Sequence, residues 1–269
     1  KHHLMIRMPD AVPKFLQDTF ASLIPLIVNI AIWHTIGSLC TGLMTISLPY
    51  AISYLLSAPL GALTSVPGIL IVVFVANLLW TFGIHGTMVV YIAIMPALME
   101  YIATNGALMS QGQALVFTPV ALFAIMNCCG GTGNTLALCV MGLFSKSEQI
   151  KAVSKAAIVP GIFNINEPAT FGYPIMYNPT LAIPFIFNPL ITMVICYFGY
   201  LVGFFKPSFT MISATLPVGV SPYLCTLSWT NVLIPVIAFA VAWLIYRPFF
   251  KAYEKDLAAK EQAAKAEAA

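Results

Sequence analysis

Between Thr19 and Ser145 the chain carries one charged side chain, Glu100, and between Ala156 and Tyr246 only two, Glu167 and Lys206. A protein folded in water covers itself with charge, so runs this poor in it must face hydrocarbon for most of their length. Of 269 residues, 60% are hydrophobic and 8% charged, which excludes a water-soluble globule. The formal net charge of +3, confined to loops and ends, gives no basic stripe for a nucleic acid. The six cysteines, Cys40, Cys128, Cys129, Cys139, Cys196 and Cys225, lack the paired spacing of a zinc site and read as small apolar residues. KHHLMIRMPD has no apolar core behind a basic start, so no signal peptide is expected there, and a membrane chain opening on a loop suggests part of a longer protein.

The expected fold is all-α: a polytopic membrane protein with about five transmembrane helices. Residues 1–21, with Pro9 and Pro13, suit an interfacial loop or amphipathic segment, 22–247 a membrane substrate-binding domain, and 248–269 a solvated, cytoplasmic tail rich in Ala and charge. Spans are expected over Ser22–Leu43, Leu181–Phe205 and Asn231–Tyr246, while the weakly apolar stretch from Met44 to Thr64 is left open. Ser145 to Lys155 reads as a loop, placed in the cytoplasm by Lys146, Lys151 and Lys155.

Three apolar stretches are interrupted. The first breaks at Gly83-Ile84-His85-Gly86, the second at Asn127 to Asn134, the third around Asn164, Asn166 and Glu167 between Pro160 and Pro168. Broken helices expose backbone donors and acceptors, which hydrocarbon tolerates only where they are buried in protein or line a polar cavity. Transporters build substrate sites from such breaks.

Glu167 is the most informative residue, because a carboxylate at membrane depth costs several kcal/mol (roughly) unless partnered. The plain alternative is a loop-end Glu paired with Lys155. A carboxylate accepts several hydrogen bonds and so suits a ligand rich in hydroxyls, which makes sugar binding the preferred role. His85, between glycines, is the second candidate, against the alternative of a core histidine. Trp80 offers an aromatic face for a sugar, although a Trp at a membrane interface is also common. Asn127, Asn134, Asn164 and Asn166 supply further polar groups at the breaks, and Glu100 reads as a charge reaching the interface. No nucleotide-binding, zinc-protease or serine-hydrolase motif occurs, and no cofactor or metal is expected.

Ile165-Asn166-Glu167-Pro168-Ala169-Thr170-Phe171-Gly172-Tyr173-Pro174 resembles the Asn-Glu-Pro signature of the membrane (IIC) components of the bacterial phosphotransferase system, of the lactose, cellobiose and diacetylchitobiose type. Phe82-Gly83-Ile84-His85-Gly86, Gly130-Gly131-Thr132-Gly133 and Met8-Pro9-Asp10-x-Val12-Pro13 resemble three more segments of that family, in the same order. The resemblance covers the C-terminal, substrate-binding part of such a component, with the dimerising N-terminal helices absent. It implies that Glu167 and His85 bind the sugar, with Asn166 in the signature, Trp80 close by and Asn127 a weaker ligand. It also implies two re-entrant helical hairpins, a IIB phosphocarrier partner, a lipid bilayer setting in the bacterial plasma membrane and a homodimer in the full-length protein. His85 is a candidate base on the sugar hydroxyl or merely a ligand. One departure is Ala214-Thr215-Leu216-Pro217, where the family often has Trp before Thr-x-Pro. A β-linked disaccharide is the expected substrate class. Two other readings stay open: a proton-coupled secondary sugar transporter using Glu167, and a membrane enzyme with His85 and Glu167 as acid and base.

Overall fold

The computed structural model describes residues 9, 14–44, 62–213 and 215–267, and every regular element among them is helical. The open stretch from Met44 to Thr64 thus lies largely outside the described residues, as do most of the Met8–Pro13 motif and Ala214. The chain divides into two units, Lys1–Pro59 and Leu60–Ala269. Among the described residues the first contains α1 (Lys14–Met44), which begins before the expected Ser22. Its apolar side chains remain exposed, Ile30 at 60% and Trp33 at 56%, as a helix surrounded by lipid requires.

The second unit starts with a helical hairpin. Ser65 caps α2 (Val66–Thr81) by accepting from the Gly68 N–H, with Pro67 in the first turn where no donor is needed. A turn over residues 82–85 reverses the chain into α3 (Gly86–Ser110). Gly86 permits the reversal, because a Cβ there would sit 1.9 Å from the Ala76 carbonyl oxygen of α2. A 3-10 helix (Pro119–Asn127) then leads through the glycine-rich turn into α4 (Leu136–Leu143) and α5 (Glu148–Ile162), the second hairpin. The short α6 (Glu167–Gly172) follows the third break. Next come α7 (Pro179–Leu201), α8 (Val220–Thr226), a 3-10 turn (Trp229–Val232) and α9 (Leu233–Glu267).

Two apolar clusters form the core of this unit. One joins Ile69, Leu122, Met126, Met193 and Ile234, and the other joins Trp80, Leu138, Tyr173, Phe185 and Tyr246. Where the surroundings are lipid, such clusters hold by close packing and hydrogen bonds more than by escape from water. Among the described residues, four helices are long and apolar enough to cross a membrane, Phe20–Leu43, Gly86–Ser110, Pro179–Leu201 and Trp229–Ala266. The shorter apolar Val66–Thr81 makes a fifth membrane-type helix, though ~24 Å at 1.5 Å per residue falls short of the ~30 Å hydrocarbon core.

The structure corrects one expectation. The segment read as a loop is mostly helix: Ser147 caps α5 by accepting from Ile150 N–H, and only residues 144–147 connect α4 to α5. The tail rich in Ala and charge is helical, and α9 runs into it through Arg247 and Pro248 without a break. Of the cysteines, Cys129, Cys139 and Cys196 are buried, Cys40, Cys128 and Cys225 are half-buried, and all six are free.

Replacing Gly86 by Val tests the hairpin. The clash with Ala76 forces α2 and α3 apart, and a loss of about 1–3 kcal/mol or more is expected, read as a lower thermal midpoint and loss of monodisperse protein in detergent.

Candidate functional site

The three breaks meet. At the first, Phe82, Gly83 and Ile84 N–H groups bond back to Leu79 and Trp80 carbonyls, and His85 becomes the N-cap of α3. Its Nδ1 accepts from the Met88 N–H at 3.2 Å. An accepting Nδ1 places the proton of the neutral ring on Nε2. That Nε2 stands 3.9 Å from Oε1 of Glu167, in the first turn of α6. The gap is too long for a hydrogen bond, yet one oxygen atom can lie within reach of both groups. Both side chains are open, 42% and 45% exposed, so a ligand can approach them.

Trp80 lies behind this pair. Its ring centroid is 4.4 Å from that of His85, but it is only 3% exposed, so it backs the imidazole instead of offering a free stacking face. Its indole N–H donates to Thr87 Oγ1 at 3.2 Å, and Thr87 shares a 2.9 Å hydrogen bond with Thr132 of the glycine turn. The first and second breaks are joined in this way.

The second break joins the third through Asn164, whose Oδ1 accepts from Gly130 N–H at 3.0 Å and whose Nδ2 donates to the Leu216 carbonyl. Gly131 has φ +76°, and a Cβ there would lie 2.8 Å from both Asn164 O and Asn166 Cβ, so glycine meets a conformational and a spatial demand together. Asn134, also left-handed at φ 48°, closes the turn by accepting from Cys129 N–H and donating to the Ile125 carbonyl. Asn166 is buried and donates to Thr170 Oγ1 at 2.9 Å, which spends one amide hydrogen inside α6. Asn127 ends the 3-10 helix, half-buried, and no hydrogen bond joins it to His85 or Glu167 among the described residues.

The structure thus brings His85, Glu167 and Trp80 together, sets Asn166 beside them as a structural donor, and leaves Asn127 at the edge. The ionisable neighbour within 4.0 Å of the Glu167 carboxylate among the described residues is His85, not Lys155. Glu100 lines a separate open cavity of about 360 Å³ with Tyr101 and Asn105 and takes no part in this site. No group of three His, Cys, Asp or Glu suited to a metal occurs among the described residues.

Several residues take structural roles that the sequence did not assign them. Thr87 and Thr132 bridge two breaks, while Asn188 (2.7 Å) and Tyr246 (3.0 Å) donate to the Gly133 carbonyl. Phe82 and Tyr177 form an exposed edge-to-face pair at the first break, and the Tyr177 hydroxyl donates to the Phe82 carbonyl. Asn188 is marked in the sequence by Phe187-Asn188-Pro189, which echoes Tyr177-Asn178-Pro179 ten residues earlier.

The family model described as Phosphotransferase system, EIIC, matches residues 1–189. The Lichenan permease IIC component of Bacillus subtilis (strain 168) is 36% identical over 95% of this chain and 58% of its own length. The PTS system cellobiose-specific EIIC component of Geobacillus stearothermophilus is 35% identical over 97% and 59%. The crystal structure of the transporter ChbC, the IIC component from the N,N'-diacetylchitobiose-specific phosphotransferase system, superposes with a TM-score of 0.77 at 34% identity, covering 96% of this chain and 61% of that one. The chain therefore spans about three fifths of the length of these relatives.

The bridge between breaks predicts the outcome of one isosteric change. Thr87→Val leaves the buried Trp80 N–H without its acceptor and is expected to cost about 1–3 kcal/mol, seen as a lower thermal midpoint, whereas Thr87→Ser keeps the oxygen and stays near the unaltered protein.

Proposed function

Because this chain belongs to the phosphotransferase system EIIC family, we propose that it forms the sugar-binding and translocating part of a bacterial plasma-membrane permease, with a β-linked disaccharide as substrate. Relatives named for cellobiose and for oligo-beta-mannoside support the substrate class. The observation that carries the reading is the pairing of an Nε2–H donor and a carboxylate acceptor, 3.9 Å apart, both open and both mounted on helix ends.

A sugar hydroxyl both donates and accepts. Placed between His85 and Glu167, it takes the imidazole proton on a lone pair and gives its own hydrogen to the carboxylate, so one hydroxyl satisfies both groups. With Nδ1 accepting from the Met88 N–H, Nε2 is the nitrogen left to donate to the sugar, which supports His85 as a ligand over His85 as a base. Trp80 holds the imidazole orientation from behind, Asn166 holds the first turn of α6, and Asn127 contributes at most at the periphery. The segment at Leu216 and Val218, hydrogen-bonded to Asn164 and Ile162, brings the departure at Thr215-Leu216-Pro217 next to the third break, where it bears on which sugar is taken.

Translocation follows from rearranging the hairpin that leads to Glu167 against the one that carries His85, exposing the sugar to alternate faces. The phosphoryl group comes from a separate IIB phosphocarrier at the cytoplasmic face, marked by Lys146, Lys151 and Lys155. Residues 22–247 then constitute the transport domain and 248–269 a cytoplasmic tail. A homodimer is assembled in the full-length protein.

Glu167→Gln exchanges charge-assisted hydrogen bonds for neutral ones and is expected to weaken sugar binding on the order of 10- to 100-fold. His85→Ala should lower binding and phosphorylation together. Phosphorylation lost at His85 with binding intact would make it the base instead. Accumulation of unmodified sugar on a proton gradient, without a phosphocarrier, would establish secondary transport and overturn the proposal.

A further inference from the structure

The cytoplasmic half of α9 does more than leave the membrane. Glu254 and Glu261 lie seven residues apart, two helical turns, and so share a face with the buried Tyr246 and Phe250. Both carboxylates are spent on the short connection between α4 and α5. Glu254 Oε1 accepts from Ser145 Oγ and from Lys146 N–H, each at 2.7 Å. Glu261 Oε1 accepts from Ser147 Oγ at 2.6 Å and Gln149 N–H at 3.1 Å, while its Oε2 accepts from Glu148 N–H at 3.1 Å. Two backbone donors and a hydroxyl at the start of α5 thus find a carboxylate, at the helix end where the dipole favours negative charge.

The other end of this hairpin is the sugar site. α5 runs from the carboxylates to the third break, ~22 Å away at 1.5 Å per residue. There Asn164 is bonded to Gly130, closing the hairpin onto the glycine turn. α6, which carries Glu167, is packed on α5: the hydroxyls of Tyr173 and Ser154 are hydrogen-bonded, and a Cβ on Gly172 would lie 2.5 Å from Val153 Cγ1. The hairpin and α6 therefore form one body, fixed at its far end by the tail, while His85 belongs to the other hairpin.

We propose that Glu254 and Glu261 are positioning residues of the sugar site, latching the α4–α5 hairpin to α9 and thereby setting where Glu167 stands relative to His85. This rests on the sugar-site reading above. When the latch is closed the Glu167 body is held in one register, and when it opens the body is free to move as alternating access demands.

The test uses Glu254→Ala/Glu261→Ala, Glu254→Gln/Glu261→Gln, which keeps carbonyl acceptors, and Asp256→Ala, an exposed neighbour paired with Lys260, as control. Cellobiose affinity and amide hydrogen exchange are measured in detergent or nanodiscs. The Ala pair is expected to bind cellobiose three- to tenfold more weakly and to exchange faster at Gly130–Asn134 and Asn164–Thr170. The Gln pair should recover most of both effects, and Asp256→Ala should match the unaltered protein. Normal affinity in the Ala pair, alongside a Glu167→Gln variant that has lost binding, would overturn the latch and leave the sugar site standing. If Glu167→Gln also binds normally, the sugar site fails, and unaltered exchange at residues 164–170 in the Ala pair then overturns the latch on its own. Should the Ala pair fail to fold, the same exchange comparison is made on Glu254→Gln and Glu261→Gln singly, where faster exchange at the third break supports the latch and unchanged exchange overturns it.

Discussion

A helix that stops inside a membrane leaves backbone donors and acceptors that no solvent will satisfy, at a cost of several kcal/mol (roughly) for each orphan. Each break in this chain solves that problem partly with the polar groups of another. Gly130 N–H at the second break finds Asn164 at the third, and Tyr177 N–H, just beyond the third, donates at 2.9 Å to the Thr81 carbonyl, where α2 ends. Thr87 and Thr132 tie the first break to the second. Once three breaks satisfy one another they must be neighbours, and the side chains at their ends converge without any further instruction. The meeting of His85 and Glu167 is a by-product of backbone accounting.

That accounting also explains what was legible in the sequence. The interruptions announce themselves through Gly, Asn and Pro in apolar surroundings, and a lone acid or imidazole there stands out against an uncharged background. The supporting residues do not. Thr87, Thr132 and Asn188 are ordinary polar residues on helices or turns, and only tertiary placement reveals that each completes a bond across two elements. Trp80 was legible as a neighbour of His85 but not as its buried backing, because burial depends on Leu138, Phe185 and the rest of the second cluster. At the start of α5 the reading went astray for one reason. A change from apolar to charged residues marks a change of solvent, not of backbone, so α9 passes Arg247 unbroken and Glu148 starts a helix inside the presumed loop.

Local chemistry refines the role of His85 beyond what its motif implies. An imidazole used as an N-cap commits one nitrogen to the backbone, and the other inherits the proton. Its orientation is thereby fixed by a helix terminus below and an indole behind, while the N–H faces the carboxylate across an open gap. Preorganisation of this kind lets a polar ligand bind without first ordering the groups that hold it. The six-residue α6 plays the matching part for Glu167, its first turn pinned by the hydrogen bond between Asn166 and Thr170.

The carbonyl of Gly133 receives Asn188 from α7 and Tyr246 from α9, and the ring of Phe185 fills the space where a Cβ would be. Both lone pairs of that oxygen are taken by membrane-crossing helices. The atom thus ties the glycine turn to two long apolar helices at once, so any displacement of the turn must carry both helices with it or break both bonds.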